Sequence, residues 1–87
     1  MSHRWSEQDD LIALYVYLHG VTKLPWTLED IVNRQGIGIK SFKMRLRNFS
    51  AIEGRGGLEH WAKQSEVIYG RCQGMNERQL REIAFPS

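Results

Sequence analysis

The sequence predicts an all-α fold with four or five short helices. Apolar residues recur at spacings of three and four, as on one side of a helix. Residues that favour the N-cap of a helix precede several of these runs, and glycines follow them. With 87 residues, of which 41% are hydrophobic, the chain has room for one core. We therefore treat residues 1–87 as a single compact domain.

The first predicted helix starts at Ser6. Ser6 with Asp9 three positions later is a variant of the capping box, in which each side chain bonds the other's backbone N–H. Gly20 offers the C-cap. The apolar face of this helix comprises Leu11, Ile12, Leu14, Tyr15, Val16 and Leu18.

A second helix follows Thr27, which is paired with Asp30 in the same way, and Trp26 is placed to pack on Ile31. It ends near Gln35, before a turn at residues 36–38. A third helix then runs from Ile39 to Phe49. Its apolar stripe is Ile39, Phe42, Leu46 and Phe49.

Two further helices complete the prediction. After the glycine-rich loop at residues 53–57, the fourth helix is expected from about Leu58 to Tyr69, with Gly70 behind it. The apolar face of the fourth helix comprises Leu58, Trp61, Ala62, Ser65, Ile68 and Tyr69. Asn76 with Gln79 opens a short fifth helix, which Pro86 closes and whose apolar residues are Leu80, Ile83 and Ala84.

The third helix carries the strongest functional signal. On its helical wheel, Lys40, Lys43, Met44 and Arg47 lie opposite the apolar stripe. Ser41 and Asn48 lie along one edge, and Arg45 lies near the apolar boundary. We expect Met44 either to pack against the first helix or to contact a base methyl group.

Charge is concentrated on the same segment. The net charge is only +2, but residues 34–63 hold seven basic and two acidic residues, whereas residues 1–33 sum to −3. Together with the two helices around the glycine turn, this pattern predicts a helix-turn-helix whose second helix docks on nucleic acid.

Other function classes find little support in the sequence. His3, His19 and His60 have no partners at metal-ligand spacing, and no P-loop or nucleophile elbow occurs, so we predict no enzyme activity, no metal and no cofactor. The lone Cys72 is expected to be a bystander and not a redox centre, although the neighbouring Arg71 favours a modest lowering of its pKa. Without a signal peptide or a membrane-spanning run, the chain is expected to be soluble, cytoplasmic and without a membrane partner.

Two resemblances follow from these segments. The opening RWSEQDDLIAL resembles the start of a Myb or SANT domain, a three-helix homeodomain-like fold. A second resemblance rests on three runs within residues 4 to about 69, namely WSEQDDLIALYVYLHG, SFKMRLRNFSAIEG and GLEHWAKQSEVIY. They are similar to the N-terminal domain of bacterial HNH endonucleases, including Mcr-type restriction enzymes.

In that second family the domain is thought to recognise DNA for the nuclease that follows it. The matching positions are Ser41, Met44, Arg45, Leu46, Asn48 and Phe49, then Gly57, Leu58, Lys63 and Tyr69. This sequence contains no nuclease segment, so the resemblance implies DNA recognition and not cleavage.

We therefore expect a homeodomain-like helix-turn-helix domain that binds double-stranded DNA. It would act as a bacterial or phage transcription regulator, or as a DNA-targeting subunit of a larger assembly. The alternative is a SANT-like module whose basic helix contacts an acidic protein surface. The predicted DNA contacts are Lys40, Lys43 and Arg47 to bases and nearby phosphates, Ser41 and Asn48 to bases or backbone, and Arg45, Arg55 and Lys63 to phosphates.

Overall fold

The computed structural model describes residues 4–56 and 59–86, and the described residues form α-helices without a strand. The helices are α1 (Glu7–His19), α2 (Leu28–Gln35), α3 (Ile39–Ile52), α4 (Lys63–Arg71) and α5 (Glu77–Ala84). The radius of gyration is 12.2 Å, close to the ~12 Å expected of a compact chain of this length. The predicted all-α class is confirmed.

α1 is the central helix. It packs against α3, α4 and α5, while α2 packs against α3. A wide apolar face supports this position, because successive side chains of α1 turn toward different neighbours. The largest fully buried apolar side chains come from four helices and are Leu14, Tyr15, Phe42, Phe49, Ile68 and Leu80.

Three helices begin at the capping boxes that the sequence predicts. In α1, the Asp9 N–H donates to the Ser6 hydroxyl at 3.0 Å, and the Ser6 N–H donates to the Asp9 carboxylate at 3.0 Å. The reciprocal pairs are also present in α2 and α5. They are Thr27 with Asp30 and Asn76 with Gln79. Each pair satisfies two backbone donors that a helix start otherwise leaves open.

The turn between α2 and α3 is a Schellman motif. Gly36 adopts left-handed backbone angles, with φ +72°. The Gly36 N–H donates to the Asn33 carbonyl at 3.2 Å, and the Ile37 N–H donates to the Val32 carbonyl at 3.0 Å. Val32 and Ile37 are both buried in the core, so the apolar contact typical of this motif is available. The predicted end of α2 at Gln35 is confirmed.

The bounds of two helices differ from the prediction. α3 continues to Ile52, and α4 begins at Lys63 and ends at Arg71, so that Gly70 lies inside it. Residues 59–62 are not helical. The expected start at Leu58, like the neighbouring Gly57 and the N-terminal His3, lies outside the described residues.

The predicted apolar faces are also corrected in part. Leu18, Ile39, Trp61 and Ile83 are 37–44% exposed, whereas they were expected to face the core. Trp61 donates its indole N–H to the Glu66 carboxylate at 2.8 Å, which satisfies its polar atom at the surface. Among the described residues, no helix combines the length and the apolar character that a membrane crossing requires.

Candidate nucleic-acid interface

α3 presents an exposed stripe of four residues on the side away from the core. Lys40, Lys43, Met44 and Arg47 stand at relative positions 0, 3, 4 and 7, and all four are exposed. Such spacing places them on one helical face. We call these four residues the α3 stripe. Ser41, also exposed, lies beside it as predicted.

The positive charge of the α3 stripe has no local counter-charge. α3 contains no acidic residue from Ile39 to Ile52. Within residues 4–56 and 59–86, no carboxylate forms an ion pair with Lys40, Lys43 or Arg47. These cations are therefore available to an external anion.

Arg45 is directed inward, contrary to the prediction that it contacts phosphate. Its Nε and Nη2 atoms donate to the two carboxylate oxygens of Asp10 at 2.7 and 2.8 Å. The guanidinium carbon lies 4.4 Å from the centre of the Trp5 ring, and the side chain is only 13% exposed. Because the guanidinium is bound by both a carboxylate and an indole, it is not available for a phosphate contact.

Asp10 is the buried centre of a polar network that joins three helices. Besides Arg45, it accepts hydrogen bonds from Gln64 Nε2 at 2.6 Å and from the Ser65 hydroxyl at 2.9 Å. The side chain of Asp10 is 0% exposed. A buried carboxylate is tolerated where its oxygens are satisfied in this way. The network fixes the inner side of α3 to α1 and α4.

Asn48 also has internal partners, so it does not fill the predicted role at bases or DNA backbone. It is 9% exposed. Its amide nitrogen donates to the Met44 carbonyl at 2.9 Å, and its amide oxygen accepts the Ala62 N–H at 2.6 Å. Ala62 is the N-cap of α4 and has no side-chain cap of its own. Asn48 thereby ties the start of α4 to α3.

Arg55 and Lys63, the remaining predicted phosphate contacts, are exposed. The Arg55 side chain is 77% exposed, and its Nε lies 3.7 Å from a Glu53 oxygen, which is a loose surface pair. Lys63 is the first residue of α4, directly after Ala62. Both residues come after Ile52, the last residue of α3.

Glu53, the C-cap of α3, is held by two tyrosines in an arrangement that the sequence did not predict. The hydroxyls of Tyr17 and Tyr69 donate to its carboxylate at 2.5 and 2.8 Å. These bonds, that from Tyr17 first, hold the pKa of Glu53 below its usual value. The partners lie 36 and 16 residues away, so no local pattern signals the cluster.

The remaining features are the metal-ligating residue types, the single cysteine and a surface groove. In the described part of the chain no group of His, Cys, Asp and Glu side chains could hold a metal ion. Burial raises the pKa of the Cys72 thiol by more than Arg71 lowers it, so the net shift is upward although the effect of Arg71 has the predicted direction. An open groove of about 730 Å³ lies between α1, α2 and the C-terminal residues, with Trp26 and Phe85 in its wall. It contains none of the predicted DNA contacts.

Comparisons of the chain with protein-family models, with curated proteins and with solved structures gave no match.

Proposed function

We propose that this protein binds double-stranded DNA as a homeodomain-like helix-turn-helix domain, with α3 in the major groove. The uncompensated positive charge of the α3 stripe carries the proposal. A major groove about 12 Å wide admits an α-helix. The stripe from Lys40 to Arg47 extends about 10 Å along the helix axis, enough to follow roughly three base pairs. The glycine turn at Gly36 sets the direction of α3 relative to α2.

The side chains of the stripe suggest different roles. Arg47 has the planar fork that pairs with O6 and N7 of guanine, whereas Lys40 and Lys43 act as point charges toward phosphates or bases. Ser41 is placed for a hydrogen bond to base or backbone. Arg55 and Lys63 extend the positive surface beyond α3 and suit phosphates.

Arg45 and Asn48 support the same function indirectly. Their bonds to Asp10 and Ala62 fix α3 against α1 and α4 from the inner side. A helix that reads bases must be held within a fraction of an ångström, and such supporting contacts hold it. The resemblance to HNH endonuclease domains suggests a targeting subunit or a small regulator as the biological setting.

Titration of labelled duplex DNA by fluorescence anisotropy tests the proposal. Four phosphate contacts, from Lys40, Lys43, Arg55 and Lys63, predict that log affinity falls with log salt with a slope of about −3.6. Affinity then drops about 150-fold between roughly 50 and 200 mM salt. No binding at 50 mM would refute the proposal and leave the acidic protein surface as the partner of the α3 stripe.

Matched arginine variants distinguish contacts to bases from electrostatic contacts to phosphates. Arg47→Ala should weaken the binding free energy by about 1–3 kcal/mol on a selected site and by much less on a scrambled duplex. Arg55→Ala should weaken both DNAs by similar factors and reduce the salt slope by about one. Arg78→Ala, an 80% exposed arginine on α5, is the control and should change neither. Equal weakening of both DNAs by Arg47→Ala would mean that α3 does not read bases.

A further inference from the structure

Met44 is an exposed apolar side chain in the middle of a cationic surface. It is 47% exposed, although packing against α1 was the expected alternative. Lys40 and Lys43 precede it on the α3 stripe, and Arg47 follows it one turn later. A methionine contributes little to folding at such a position, because half of its surface stays in water.

On the basis of the proposed DNA binding, we propose that Met44 is a specificity residue that contacts the 5-methyl group of a pyrimidine in the major groove. Thymine displays this methyl group at the groove floor, and 5-methylcytosine displays the same group. A thioether chain is flexible and polarizable, so it adapts to a small apolar target. Lys40 and Lys43 hold phosphates on one side and Arg47 contacts a neighbouring guanine, while Met44 reaches the groove floor between them.

The main chain at Met44 is anchored, which suits a reading residue. Its carbonyl accepts the Asn48 amide at 2.9 Å, and the same Asn48 side chain is fixed by the Ala62 N–H at 2.6 Å. Met44 therefore combines a free side chain with a backbone tied to α4. The precision of a base contact depends on such anchoring of the backbone beneath the side chain.

The test begins with selection of a preferred site from a random duplex library, alongside a second library in which 5-methylcytosine replaces cytosine. Each thymine of the selected site is then replaced singly by deoxyuridine, which removes only the methyl group. Wild-type protein should lose affinity about fourfold at one position, which corresponds to about 0.8 kcal/mol for one buried carbon. A preference confined to the methylated library would identify 5-methylcytosine as the source of the methyl group.

Three variants assign the effect to Met44. Met44→Gln keeps the length and the helix propensity of the side chain and should bind with no dependence on the methyl group. Met44→Leu should retain that dependence. Met75→Gln, which alters a 36% exposed methionine outside α3, should behave like wild type. Melting temperatures should be close for all of them, since both methionines are at the surface.

The outcomes separate this inference from the function on which it rests. Binding by wild-type protein that is equal with and without the methyl group in both libraries would overturn the role of Met44 and leave DNA binding intact. Full methyl dependence in Met44→Gln would overturn that role as well. Failure of wild-type protein to bind any duplex would overturn both proposals.

Discussion

Replacing Asp10 by alanine should be among the most damaging single changes in this protein. The carboxylate is 0% exposed and accepts four hydrogen bonds, from Arg45 Nε and Nη2, Gln64 and Ser65. Asp10→Ala leaves the Arg45 guanidinium, whose side chain is 13% exposed, without its counter-charge. Breaking a buried ion pair in this manner costs about 3–5 kcal/mol of unfolding free energy. For a domain of this size the melting temperature should fall by roughly 12–40 °C.

Urea denaturation followed by tryptophan fluorescence measures the loss, and a double-mutant cycle assigns it. Arg45→Met removes the charge but keeps an apolar chain against Trp5. If the Asp10–Arg45 ion pair accounts for the loss, the double variant Asp10→Ala, Arg45→Met should lose less unfolding free energy than the two single variants together. The difference should be about 2 kcal/mol or more. Arg47→Met, on the exposed face, is the control and should show no coupling with Asp10→Ala. A loss below about 1 kcal/mol for Asp10→Ala, or additive effects, would refute this account of the network.

Three further predictions concern other parts of the fold. The hydrogen bond from Tyr15, followed by that from Arg81, lowers the pKa of Glu77 from 4.5 to about 2. The resulting stabilisation is complete above pH 4.5 and is lost as the pH falls toward 2, so Glu77→Gln should reduce the acid dependence of the melting temperature. Gly36→Ala should lower the free energy of unfolding by about 1 kcal/mol through backbone strain, because Gly36 has φ +72°. A steric clash does not add to this loss, since an added Cβ meets nothing within 4 Å. In urea melts, Phe42→Ala should lower the free energy of unfolding by about 3–5 kcal/mol, whereas Lys43→Ala should change it by about 0.5 kcal/mol or less. A large loss for Lys43→Ala with none for Phe42→Ala would mean that the two faces of α3 are assigned the wrong way round.

Local signals predicted a large part of the structure. The capping boxes at Ser6, Thr27 and Asn76 and the glycine turn at Gly36 act over three or four residues, and all were confirmed. Helical periodicity likewise predicted that the α3 stripe faces outward. The start of α4 was missed because Ala62 has no side-chain cap that a sequence pattern would reveal. Its backbone N–H is satisfied by Asn48, 14 residues earlier.

Long-range polar pairing accounts for the errors in the predicted site. The helical wheel placed Arg45 near the apolar boundary, and in that position the side chain can turn either way. Its direction is decided by Asp10, 35 residues earlier in the sequence, on a helix whose local pattern signals only an apolar face and a capping box. An acidic residue in the first turn of α1 suits the helix dipole equally well, so sequence alone did not reveal that it is buried.

The charge arrangement on α3 is unfavourable for the isolated protein. Lys40 and Lys43 are three positions apart, and Lys43 and Arg47 are four apart, so like charges are neighbours on the surface. Each such pair destabilises a helix by about 0.2–0.5 kcal/mol, whereas a carboxylate at one of these positions would stabilise it by a similar amount. The inward cation of the same helix, Arg45, has a buried counter-charge, and the outward cations of the α3 stripe have none among the described residues. Folding alone gives no reason for this asymmetry, but a polyanion that docks on the outer face would remove the repulsion and release its own counterions on binding.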